Sequence, residues 1–249
     1  MLLQVDLLAF GFQAGDVECG AGGLLAKEAR LGYRVGVIDL YRGDVPDSGS
    51  GDDWLREAQA AAAVLGLSWR EKPEQLEAGK PGWDELSFVV KIIRETRPRL
   101  LLVPWPDDDG PERLQVDFVS RACHAAGQKK YLPELRPYTP SGVIYYFTGR
   151  AMEPAFIVDV TPVYEVKRSS MATYRQRFAV RAPGYTGGTA RLSLVEARDR
   201  YFGSLIGKSF GEGYRTRGPL AVADPLYFWV SHESGDGSLT HFDSHRLLE

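Results

Sequence analysis

The sequence predicts a Rossmann-like α/β fold with a mostly parallel sheet and helices on both faces. Three observations carry this expectation. Short apolar runs alternate with amphipathic stretches through the first hundred residues. The run Tyr33–Leu40 is apolar without alternation, as in a strand covered on both faces. Strand, helix, strand, helix, strand at this spacing builds parallel βαβ units.

In chain order, Gln4–Phe10 reads as a buried strand ending at Gly11, and Gly20–Leu31 as a helix with Leu24, Leu25 and Ala29 on one face. Tyr33–Leu40 is the second strand. After the polar loop RGDVPDSGSGDD, Asp52 or Asp53 offers an N-cap for a helix with an alanine-rich face that stops at Gly66. Trp83–Arg97 is an amphipathic helix closed by Pro98, Arg99–Val103 a core strand, and Val116–Ala126 a helix ended by Gly127. Gly142–Phe147 and Ala155–Val160 read as later strands, and Thr161–Phe178 and Leu192–Ile206 as the last long helices. With no long linker or internal repeat, residues 1–230 are expected to form a single domain and 231–249 a polar tail.

Composition narrows the function classes. A net charge of -3 argues against a nucleic-acid partner or an anionic membrane surface. No apolar run reaches the roughly 20 residues of a membrane span, and the first residues lack signal-peptide features. Two cysteines, Cys19 and Cys123, give no disulfide framework and favour the reducing cytoplasm. Cys19 is expected as a small buried helix residue.

Ligands of open α/β sheets bind past the carboxyl ends of the strands. Two loops leave such ends: Gly11–Glu18, and Pro104–Gln115 in PWPDDDGPERLQ. The first sits in LLAFGFQAGDVECGAGG, where an apolar strand, a polar turn, acidic residues and glycines follow one another. Together with DLYRGD, REAQAAAAVLGL, RPRLLLVPWPDD, VDVT, EARDRYFGSLIGKSFGEGY and PLAVADPL, these segments resemble the LmbE-like (PIG-L) family of zinc-dependent N-acetylglucosaminide deacetylases. The resemblance spans Leu3 to Leu226 and is greatest to the bacillithiol-pathway enzymes acting on N-acetylglucosaminyl-malate.

In that family two histidines and an aspartate hold zinc, leaving one position open for water. A neighbouring aspartate serves as general base on that water. Carried onto this chain, the resemblance puts Gln13 at the first histidine ligand, Gly15 at the general base, Asp16 at the aspartate ligand and Arg113 at the second histidine. Only Asp16 keeps its family type. A guanidinium has no lone pair for a metal, and glycine has no proton acceptor. Phe210 takes the place of a tyrosine that family members often carry before an (G/A)EG(F/Y) run. The resemblance also places Arg42, Asp44, Arg56 and Glu212 at the substrate side, with Asp16 and Arg113.

Other residues offer ways to rebuild a site. The chain has four histidines. His124, three turns (~16 Å) along a helix from Arg113, reads as a helix-face residue. His232, His241 and His245 lie in the tail, where HFDSH offers a pair at i and i+4. Asp16, Glu18, Asp107, Asp108, Asp109 and Glu112 offer oxygens for a hard cation. Against these stands an Asp16–Arg113 ion pair in place of the metal. Two functional readings follow. One is a pseudoenzyme that keeps a pocket for an amino-sugar or thiol-sugar ligand and needs no cofactor. The other is an active N-acetyl-sugar deacetylase using an atypical zinc site. Simultaneous change of two ligands and the base favours the first. The resemblance further implies a homo-oligomer, a hexamer in many family members.

Overall fold

Side-chain alternation along the strands sets where the sheet lies. The structure is a computed structural model describing residues 4–12, 15–40, 51–71, 82–105, 112–149, 151–174 and 189–220. Its strands are β1 (Leu7–Gly11), β2 (Val35–Asp39), β3 (Trp69–Glu71), β4 (Leu100–Pro104), β5 (Gly142–Tyr146), β6 (Phe156–Asp159) and β7 (Gly211–Arg215). They form one sheet in the order β3-β2-β1-β4-β5-β7-β6. The first five are parallel, and β7 runs antiparallel to both its neighbours. Because β1 lies between β2 and β4, the strand order reverses there. The crevice at the carboxyl ends of β1 and β4 is the switch point where such sheets take ligands.

The helices are α1 (Asp16–Arg30), α2 (Gly51–Leu65), α3 (Trp83–Thr96), α4 (Glu112–Ala126), α5 (Tyr164–Ala172) and α6 (Thr189–Leu205). Odd and even strand residues serve different layers. Leu8, Phe10, Ile38, Leu101, Val103 and Tyr145 pack with α3 and α4. Leu7, Ala9, Val35, Val37, Leu102, Ile144 and Tyr146 pack with α1 and α5. A third cluster joins Cys19 of α1 to Ala61 of α2, Met171 of α5, Tyr174, and Val195 of α6. The chain divides into two compact units, Met1–Thr216 and Arg217–Glu249, and every described helix and strand falls in the first. Among the described residues no helix is long and apolar enough to cross a membrane.

Three elements differ from the sequence expectation. Helix α1 starts at Asp16, a turn earlier than its leucines signal, because its first turn carries Asp16 and Glu18, which break the apolar pattern although both are buried. The segment expected as one helix from Thr161 to Phe178 opens with a 3-10 turn at Thr161–Val163 and continues as α5 only to Ala172. Ser170 and Thr173 donate their hydroxyls to Lys167 O and Ser170 O, and Thr173 N and Tyr174 N bond back three residues. Side-chain competition of this kind loosens a helix end. Strand β7 (GEGYR) was unforeseen: two glycines in five residues carry no alternation, and its pairing with β6 and β5 is what makes it a strand.

Eleven consecutive α1 residues, Asp16 to Ala26, are buried. A helix covered on both sides needs small residues, and Gly20 shows why. A Cβ there would fall into the Tyr146 ring and 2.8 Å from Phe147 O, whereas at Gly22 the nearest atom would be Lys167 Cγ at 3.2 Å. Charged groups enter the same helix from the far side. Glu212 of β7 accepts from Gly23 N (2.8 Å) and Leu24 N (2.7 Å), from Tyr214 Oη (2.7 Å) and from Lys167 Nζ (2.7 Å). Lys167 also donates to Asp199 Oδ2 (2.6 Å). Arg198 bonds Asp199, Phe147 O and Cys19 O. Cys19 O and Gly23 N stand four residues apart, at the ends of one helical hydrogen-bond step. Both carry an ionised partner from outside the helix.

Two outcomes are expected in urea denaturation. Gly20→Ala destabilises by ~1–3 kcal/mol, the usual cost of overpacking, while Gly22→Ala is near neutral because alanine favours the helix. Equal effects would refute the close approach to Tyr146. Lys167→Met leaves Glu212 buried without its cation and costs ~3–5 kcal/mol; an unchanged midpoint would remove the network from the stability of α1.

Candidate functional site

The crevice is built at the start of α1. β1 ends at Gly11, and Gly15 caps the helix in the left-handed region (φ 88, ψ -8) with no side-chain cap bond. Most L residues are strained in that conformation; asparagine and aspartate bear it best after glycine. Asp16 follows, 8% exposed. Its Oδ1 accepts from Arg191 Nη2 at 3.2 Å. Arg191 comes from the first turn of α6, 175 positions away in sequence. The pair is largely shielded, with 24% of the Arg191 side chain and 11% of the Asp16 side chain exposed.

Beneath it lies a second ionic cluster. Glu18 is fully buried and accepts through Oε1 from Arg70 Nη1 and, at 3.2 Å, from the Tyr174 hydroxyl. Arg70 of β3 forks onto Asp39 at the end of β2, with Nε to Oδ2 at 2.7 Å and Nη2 to Oδ1 at 3.0 Å. Desolvation would weaken the charge on this guanidinium, but Asp39 and Glu18 more than offset it, so Arg70 is held firmly protonated. The second Glu18 oxygen, Oε2, is buried and has no hydrogen-bond partner among the described residues. Tyr146 donates its hydroxyl to Phe10 O at 2.8 Å. Burial, together with Asp16, Asp39 and Glu18, pushes this phenol far above its usual range, so it stays a neutral donor. Cys19 is buried in α1 as expected, and burial raises its thiol, disfavouring the thiolate.

The expected site residues distribute unevenly. Asp16 and Gly15 stand together at the crevice. Arg113 lies in the first turn of α4, where its side chain falls outside the described residues. Gln13, Arg42, Asp44, Asp107, Asp108, Asp109 and the tail histidines also lie outside them. The expected Asp16–Arg113 contact therefore rests on an undescribed side chain, and Arg191 is a partner that the structure gives Asp16. Arg56 is exposed on α2. Glu18, considered as a cation ligand, is committed to Arg70 because the third residue of α1 faces β3. Glu212 is 1% exposed and bonded to α1, Lys167 and Tyr214 through both oxygens. That makes it a tether of α1 within the core. His124 is exposed on α4 and its ring accepts from Gln128, as a helix-face histidine does. Phe210 stacks on Tyr164 (centroids 3.5 Å, 7°). Sequence reasoning missed Arg191 and Arg70: neither lies in a motif, and the fold alone brings them to α1.

Zinc sites of the resembled type take three protein ligands and an open position. The donors described here do not fit that set. Asp16 already faces a guanidinium, and Gly15 offers no side chain. Among the described residues no group of three or more His, Cys, Asp or Glu could hold a metal.

Known proteins place this geometry in context. No family model matches the chain. It is 25% identical over 223 residues to diacetylchitobiose deacetylase of Thermococcus kodakarensis, covering 80% of this chain and 78% of that protein. The crystal structure of the conserved protein TT1542 from Thermus thermophilus is similar at a TM-score of 0.79 and 25% identity, covering 88% of this chain and 97% of that one. GalB, the 4-carboxy-2-hydroxymuconate hydratase of Pseudomonas putida, shares the fold at a TM-score of 0.69 and 19% identity, covering 90% and 99%. Over most of its length the chain is thus similar to diacetylchitobiose deacetylase, and it has the α/β fold of these solved structures.

Proposed function

We propose that this protein is a non-catalytic relative of the sugar deacetylases, keeping the crevice as a binding site for an amino-sugar-like ligand. The observation that carries the reading is the Asp16–Arg191 pair. The one acidic residue retained from the zinc set is occupied by a fixed cation from α6. A guanidinium offers hydrogen bonds to a sugar hydroxyl or carbonyl, but it has no vacant coordination position for water. Gly15 at the base position leaves no group there to take a proton. The bacillithiol-type likeness of the C-terminal segments supports a glucosaminide-like ligand, with Arg42, Asp44 and Arg56 on its side. The same likeness supports a homo-oligomer.

Elemental analysis of protein purified without added metal is expected to find no stoichiometric zinc, and the protein should not deacetylate N-acetylglucosaminides with or without added zinc. About one zinc per chain, together with turnover, would overturn this reading.

A reconstruction tests the same point from the other side. Gln13→His, Gly15→Asp and Arg113→His restore the ligand and base types, yet Arg191 still competes for Asp16. Adding Arg191→Ala to the triple variant is expected to tighten zinc binding by at least about tenfold, the order of a charge-assisted hydrogen bond. Equal zinc affinity in the triple and quadruple variants, measured by competition with a chromogenic chelator, would show that Arg191 does not hold the metal's carboxylate.

A further inference from the structure

We infer an oxyanion-binding subsite on the β4–β5 side of the crevice, formed by Trp105 and Arg215 at the carboxyl ends of those strands. Trp105 directly follows β4, and its backbone N–H donates to Tyr146 O at 2.7 Å. Its indole is fixed on two sides. Tyr145 meets it edge-on, with centroids 5.3 Å apart at 88°. The guanidinium carbon of Arg215, the last residue of β7, lies 4.9 Å from the ring centroid.

Among the described residues, neither group has a side-chain acceptor. The indole Nε1–H is buried and makes no hydrogen bond. A buried donor left unpaired is costly, and native proteins leave few of them. Arg215 is half-buried and, among the described residues, meets no carboxylate. The other buried arginines behave differently. Arg70 is saturated by Glu18 and Asp39. Arg198 is held by Asp199 and backbone carbonyls. Arg94 donates to six carbonyls at and beyond the end of α4: Ala125, Ala126, Gln128, Tyr131, Leu132 and Leu135. A guanidinium over the ring face and an indole N–H at the ring edge, with no described acceptor for either, are complementary to a compact anionic oxygen group. A carboxylate or a phosphate supplies that chemistry, and the planar guanidinium suits either. The subsite does not depend on whether hydrolysis survives beside Asp16.

The test is the indole region of a 15N-correlated NMR spectrum of the full chain, which carries five tryptophans. The signal missing in Trp105→Phe assigns Trp105. Wild-type protein is titrated separately with inorganic phosphate and with succinate at constant ionic strength, since free salt screens such contacts. The expected result is a saturable downfield shift of the Trp105 N–H with at least one anion, and which anion acts identifies the source of the oxygens. In Arg215→Gln the same shift should require about tenfold more anion, as for loss of a hydrogen bond to a charged group. Should that variant not fold, Arg215→Lys, which keeps the charge but not the planar fork, is read in the same way. A Trp105 signal unmoved by both anions in the wild type, or equal titration in the folded Arg215 variant, would overturn the inference.

Discussion

The burial of α1 is the constraint on which the rest of the structure depends. A helix between a sheet and three other helices has no water to satisfy its exposed backbone groups or any charge it carries. Its own sequence answers the steric half of the problem with Gly20, Ala21, Gly22 and Gly23. The polar half is answered from distant segments. Glu212 takes two amides in mid-helix, Arg198 takes Cys19 O, and Arg70 neutralises Glu18. Buried ion pairs of this kind bring little net stability compared with apolar packing. Their consequence is positional. A carboxylate bound to Gly23 N and Leu24 N from β7 fixes how far α1 can slide along the sheet. The placement of Gly15 and Asp16 over the end of β1 follows from that register.

The same constraint explains what could be read from sequence. β1, β2 and β4 are legible because strands covered on both faces are apolar at nearly every position, and polar residues follow their ends. The two crevice loops follow from those ends without further information. Asp16 was legible through its motif. Arg191 and Arg70 were not, because each reaches α1 across the fold and sits among ordinary polar residues. β7 was illegible for a related reason: Gly-Glu-Gly-Tyr-Arg has neither alternation nor β-branched residues, and its extended form comes from pairing with β6 and from packing against Phe202. Glu212 looked like a pocket residue by position. Only the fold shows that its two oxygens are spent on α1 and Lys167.

Replacing a metal by an arginine changes which properties of a site survive. On the proposed reading, a guanidinium can pair with Asp16 and draw in oxygen atoms of a ligand, as a zinc ion would, so recognition would be conserved in kind. They differ in what they do to water. The metal binds it through a vacant coordination position and lowers its pKa, whereas the guanidinium can only donate to it, which does not make it a nucleophile. The left-handed turn at Gly15 belongs to the same change. Once no proton needs to be taken there, the residue that fits the turn with least strain has no disadvantage, and glycine is that residue. On that reading, glycine at residue 15 and the Arg191 contact are coupled through one carboxylate. A metal would have to displace Arg191 to reach Asp16, and without an acceptor at residue 15 it would gain no partner for the proton it releases. Under the proposed function neither change alone would be reversed to advantage, so such a site would hold a ligand more readily than act on one.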